Sequence, residues 1–154
     1  MRSIEPWVAD PLDRFLVESS ARVALLMTAS GQVVAQHGFT RSIDVMTAAA
    51  LGAGIVASTE EIARQIGAGR FGSLVHQGTR QQVFLSGFDT PRGRWIGLVV
   101  FDGDSTVGLV QLFFDRLVAE LAAAAPREAA TPARPLPENF ERELNASLRA
   151  LFGR

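Results

Sequence analysis

The stretch from Ser42 to Ile66, SIDVMTAAALGAGIVASTEEIARQI, constrains the chain more than any other, because no charged residue lies between Asp44 and Glu60. Such a run reads as one long helix that must be covered by protein. At about 3.6 residues per turn it places Ala48, Leu51, Gly52, Ile55, Ile62 and Ile66 on one broad side, the expected core stripe. The other side carries Met46, Ala50, Ala53 and Ala57 where a surface helix would carry Lys and Glu. Small residues there permit close approach of another backbone or of a flat protein surface. Two readings stand: the central helix of an ordinary core, or a helix with a further partner beyond its own core.

The rest of the chain supplies strands and two flanking helices. Asp10 before Pro11 reads as a helix start, with Leu12, Phe15 and Leu16 as an apolar edge and an end near Ser19. Arg22 to Ala29 reads as a buried strand, Ser30-Gly31 as a turn and Gln32 to His37 as the returning strand. The long helix closes at Gly67-Ala68-Gly69. Strands are expected over Arg70 to Gln77, Gln81 to Gly87 and Trp95 to Phe101, with a loop at Asp89 to Arg94. WIGLVVF is apolar on both faces and should be central in the sheet. Asp102 to Ser105 can cap a last amphipathic helix from Thr106 to about Ala124. The order αββαβββα gives an α+β layered domain.

Beyond Ala125 the composition shifts to Pro and Ala as far as Pro137, which marks a linker. Phe140, Leu144, Leu148, Leu151 and Phe152 then recur at helical spacing. A lone helix of that length is marginal in water and should dock, either on its own domain or on a separate protein.

Charge and chemistry narrow the function by exclusion. Fifteen basic and sixteen acidic residues are intermixed, so nothing marks a nucleic-acid or anionic-membrane surface. The N-terminus lacks a signal-like apolar region and no run reaches the roughly 18 apolar residues that would suggest membrane insertion, which makes the cytoplasm the default location. The chain has no cysteine and only two histidines, His37 and His76, too little material for a thiolate site, a His-based metal site or a triad. Asp102 and Asp104 could bind a hard cation, but a capping turn needs the same residues. Gly52 to Ala57 matches a permissive dinucleotide fingerprint, yet it lies inside a helix with no preceding strand. Arg70, Arg80, Arg92 and Arg94 are loop arginines whose spacing does not separate a catalytic finger from surface charge.

The αββαβββα order, with VALLMTASGQVVA as first hairpin, MTAAALGAGIVASTEEIARQIG as small-residue helix and RFGSLVHQG ahead of the next hairpin, resembles the roadblock family of dynein light chains and bacterial GTPase regulators over about Asp10 to Ala124. Within it, the Gly- and Ala-rich helix, the VHQG turn at Val75 to Gly78 and the helical extension look most like the bacterial regulators of polarity and gliding. The resemblance implies a roadblock-like domain over residues 1–124 with a five-stranded antiparallel sheet, then the linker 125–137 and the helix 138–154. It implies a homodimer whose sheets join edge to edge through Arg70 to Gln77, with Phe71, Ser73, Val75, Met46 and Ala53 at the dimer interface. It also implies a Ras-like small GTPase bound at Ala48, Gly52, Ile55, Val56 and Thr59, whose hydrolysis is stimulated by repositioning its own catalytic residues. Phe140, Leu144, Leu148 and Leu151 would grip that GTPase away from its switches. Neither a cofactor nor an active site in the chain itself is implied. The alternative is a dimeric scaffold of the same fold that leaves the nucleotide untouched.

Overall fold

The computed structural model of the chain describes residues 5–70, 72–126 and 145–151. The elements are α1 (Pro6–Ser19), β1 (Val23–Thr28), β2 (Val33–Gly38), a single 3-10 turn (Thr40–Ser42), α2 (Val45–Gln65), β3 (Leu74–Gln77), β4 (Gln82–Thr90), β5 (Gly93–Phe101) and α3 (Val107–Ala124). The strands form one antiparallel sheet in the order β2-β1-β5-β4-β3, so the strand that reads as apolar on both faces is indeed central. Period-two alternation along β5 sends Trp95, Val99 and Phe101 to one face and Ile96 and Leu98 to the other. α1 and α3 cover the first face, where Phe114 meets Phe15, Phe84 and Phe88 ring to ring. Gly97 lies directly under Phe114, where any Cβ would collide with the ring. Among the described elements, α2 is the helix that covers the second face.

Three boundaries differ from the sequence reading. α1 starts at Pro6, not after Asp10, and Pro11 is buried inside it. The earlier start lets Trp7 stack on Trp95 at 5.7 Å and buries Val8, a tertiary gain that local capping signals do not carry. Asp89 to Arg94 is no open loop: β4 and β5 pair as far as Thr90 and Gly93, leaving Pro91 and Arg92 as a two-residue turn, with Gly93 at φ +113°. β3 begins at Leu74, four residues later than expected, and residues 66–73 form the connection from α2.

α2 is capped at both ends, of which the sequence reading named only the glycine closure. Asp44 accepts from the backbone N–H of Thr47 at 3.2 Å and from its hydroxyl at 2.7 Å. At the other end Gly67 takes φ +67°, with Ala68 N–H donating to the Ala63 carbonyl and Gly67 N–H to that of Arg64, the paired closure of a left-handed cap. Thr106, rather than the Asp102 to Ser105 turn, caps α3 by accepting from Leu109 N–H at 3.2 Å. By length and composition α2 is also long and apolar enough to cross a bilayer, which the sequence reading did not expect. In this fold one side of it lies on the sheet.

Candidate protein interface

The buried side of α2 is the small-residue side. Ala49, Gly52, Ala53, Val56 and Ala63 face the sheet, while Leu51, Ile55, Ile62 and Ile66 are exposed, Leu51 by 64% and Ile66 by 66%. This reverses much of the expected core stripe, and the reason is distance. Leu25, Met27, Leu85, Ile96 and Leu98 already fill that face of the sheet, so the helix must lie low over them. A Cβ on Gly52 would stand 3.2 Å from Leu98 Cδ1 and 3.4 Å from Leu85 Cδ2. The turn between β1 and β2 also presses on the helix: at Gly31, with φ +93°, a Cβ would come within 3.2 Å of Ala50 Cα.

Several site assignments need correction. Gly52, Val56 and Ala53 are turned to their own sheet and cannot offer surface to a GTPase or to a second protomer. Of the other residues assigned to a GTPase, Ala48 is half-buried, Ile55 is exposed, and Thr59 is half-buried with its hydroxyl on the Val56 carbonyl at 3.0 Å. Of those assigned to the dimer, Met46 is 78% exposed, Val75 is half-buried against the α1/α3 core, and Ser73 is exposed with its hydroxyl donating to Gln111 Oε1 at 2.7 Å. Phe71, Phe140 and Leu144 lie outside the described residues; residues 145–151 are helical, with Leu148 and Leu151 exposed.

What the structure brings together is an aliphatic flank and an open strand edge. Leu51, Ile55, Ile62 and Ile66 share one flank of α2, whereas its opposite flank is occupied by the Gly31 turn and by Arg94 at Glu60. β3 ends the sheet, and its Leu74 stands opposite Leu85, so it projects to the same face of the sheet as α2. Away from the sheet the helix shows Ala50, Gly54 and Ser58, a small surface on which a Cβ at Gly54 would meet nothing within 4 Å.

The arginines resolve individually. Arg70 binds Asp89 at 3.2 Å, Arg92 lies over Trp7 and 3.6 Å from Glu5, and Arg94 bridges Glu60 and Asp89. Arg80 is exposed at the β3–β4 turn. Asp102 accepts from Asp104 N–H at 2.9 Å and from Arg22 at 2.6 Å, contacts that hold its carboxyl below the usual aspartate range in that order of weight. Among the described residues no group of three or more His, Asp or Glu side chains could hold a metal. His37 pairs with Asp13 at 2.7 Å, and His76 lies exposed on β3.

A five-stranded antiparallel sheet between a helix pair and one long small-residue helix, with β2 and β3 as its edge strands among the described residues, defines a roadblock-type module. Residues 9–88 match the Roadblock/LC7 domain family, and the chain belongs to that family. Among solved structures it is similar to MglB of Myxococcus xanthus, at 27% identity and a TM-score of 0.71, over 80% of this chain and 92% of that one. It is equally similar to the gliding protein MglB of Thermus thermophilus, at 29% identity and a TM-score of 0.70, over 81% of this chain and 93% of that one. An MglB in a tetrameric arrangement matches at 28% identity and a TM-score of 0.70, over 81% of this chain and 92% of that one. No curated protein sequence matches the chain.

Proposed function

We propose that this chain is a homodimeric, MglB-like regulator of a Ras-like small GTPase of the MglA kind, acting in the cytoplasm in polarity or gliding. The observation that carries the reading is the exposed flank Leu51, Ile55, Ile62 and Ile66 on a helix above an open sheet edge. An aliphatic row of that size on a monomer marks a protein contact, and a two-fold partner would cover it with the same row while β3 pairs with its counterpart. Two α2 helices side by side would then present Ala50, Gly54 and Ser58 twice, as one low platform for the GTPase. The regulator supplies surface, and the GTPase supplies the catalytic groups. The segment 138–154 serves as a second contact on the same GTPase, tethered through the linker 125–137.

Light scattering together with phosphate release tests the proposal. A dimeric mass at micromolar concentration and faster release from a Ras-like GTPase are expected. A monomeric mass removes the shared platform, and an unchanged release rate from a bound GTPase leaves the scaffold reading instead. Deleting Pro135 to Arg154 should preserve both the dimer and the stimulation while lowering affinity for the GTPase, by about one to two orders of magnitude at most.

A further inference from the structure

Among its described residues, the connection between α2 and β3 has almost no apolar anchorage. Among the described residues from Arg64 to Ser73 none belongs to either apolar core, and Gly67 and Gly69 sit at φ +67° and +73°, with Gly72 following. Beside it opens a cleft of about 610 Å³ lined in part by Ala57, Ala63, Gly67 and Gly69. A glycine-rich span of this kind is conformationally loose unless something pins it. The polar ties are Ser73 on Gln111 and a chain of charges centred on Arg94.

Arg94 Nε and Nη2 both donate to Glu60 Oε1, at 3.2 and 2.9 Å, and Nη1 donates to Asp89 Oδ1 at 3.1 Å. The second oxygen of Asp89 accepts from Arg70 Nη1 at 3.2 Å. Glu60 precedes the connection on α2 and Arg70 lies within it, so both are tied to the far end of the β4–β5 hairpin. The guanidinium lies flat across Gly87, where a Cβ would stand 2.8 Å from Nη2. Its side chain is only 22% exposed, and a planar fork can serve two carboxylates where an ammonium cannot. We propose that Arg94 is a positioning residue whose clasp on Glu60 and Asp89–Arg70 sets where the edge strand β3 begins relative to α2, and thereby holds the self-association face in one geometry. The second half of this inference rests on the dimer reading above; the first half does not.

The test uses the full chain carrying Arg94→Met, which keeps a stem over Gly87, and separately Asp89→Asn, a near-isosteric change at a side chain 70% exposed. Hydrogen exchange followed by mass spectrometry should show residues 66–77 exchanging about tenfold or more faster in both variants, with residues 23–38 unchanged. Arg94→Lys should recover only part of the protection. The monomer–dimer dissociation constant should rise about tenfold in Arg94→Met. Phe114→Leu, a destabilising control on the opposite sheet face, should lower the melting temperature without that rise. Unaltered exchange over 66–77, or a uniform increase along the whole chain, overturns the clasp. A wild-type chain that is monomeric at micromolar concentration overturns the dimer reading alone, because the exchange comparison is read equally well on a monomer.

Discussion

The two faces of the sheet are built on opposite plans. Between the sheet and α1 and α3, Phe15, Phe84, Phe88, Trp95 and Phe114 bring large rings into edge or stacked contact, Phe101 is buried in the same core, and the helices turn their aromatic bulk inward. On the other face α2 contributes Ala, Gly and two Val, and its larger side chains point outward. The first face is a core filled with large side chains from both helices and sheet, although Val17, Leu109 and Leu112 of those helices are exposed. The second sacrifices inward volume for closeness and leaves aliphatic area in water, which is reasonable only if another surface covers it. On the dimer reading proposed above, one sheet serves folding on one side and association on the other.

Breaking the aromatic face should produce the largest effect. Phe114→Ala removes a ring that touches three others and should cost about 3–5 kcal/mol in chemical denaturation. A loss below about 1 kcal/mol would mean that this face is not the one that holds the protomer together. On the other face the sign depends on which glycine is changed. Gly52→Leu should cost roughly 1–3 kcal/mol, because its atoms would enter space held by Leu98, Leu85 and Met27. Gly54→Ala, two positions on and open to solvent, should instead stabilise by about 0.5–1 kcal/mol through helix propensity. If both substitutions shifted stability the same way, the helix would be rotated from the orientation described.

Much of this was legible in the sequence, and the failures have one cause. The central position of WIGLVVF and the Gly67 closure follow from alternation and capping, which are local. Which side of α2 is inward is not local. Hydrophobic periodicity assigns bulk to the core, and it misplaced Leu51, Ile55, Ile62 and Ile66 because the sheet beneath was already full. Arg94 was read as a loop residue for want of one signal that was present: taking Pro91-Arg92 as a two-residue turn puts Asp89 opposite Arg94 at once.

Acid should act more gently than either core substitution. Asp44, Asp89 and Asp102 are each held below the ordinary aspartate value of about 3.9. Asp44 owes this first to the hydroxyl and backbone N–H of Thr47, and Asp89 first to Arg94. A depressed folded-state pKa means that the unfolded chain binds the proton more readily. The contribution is therefore complete above about pH 5 and disappears as pH falls through the folded values, below about pH 4. Asp44→Ala should lower the melting temperature more at pH 7 than at pH 2.5. An equal decrement at both would show that the carboxylate charge is irrelevant to the cap.

The smallest effect on folding should come from the residues with the largest effect on association. Leu51→Lys with Ile62→Lys places two cations on the exposed flank, where long stems suit a helix and no neighbour is displaced. Protomer stability should change by no more than about 0.5 kcal/mol per site. Each aliphatic side chain buried against a partner contributes roughly 1.5–3 kcal/mol, so losing two from each protomer outweighs what a few strand hydrogen bonds can hold together. The readout must separate the two consequences, because a dimer's melting temperature rises with concentration and a monomer's does not. Over a hundredfold dilution series, about two decades, the wild-type midpoint should shift and that of the double variant should stay fixed at the wild-type's low-concentration limit. A variant that still sediments as a dimer would put the association face elsewhere, with β3 as the remaining candidate. A variant that unfolds at every concentration would mean that the outward flank belongs to the protomer's own core after all, and that the two faces of the sheet are built on the same plan.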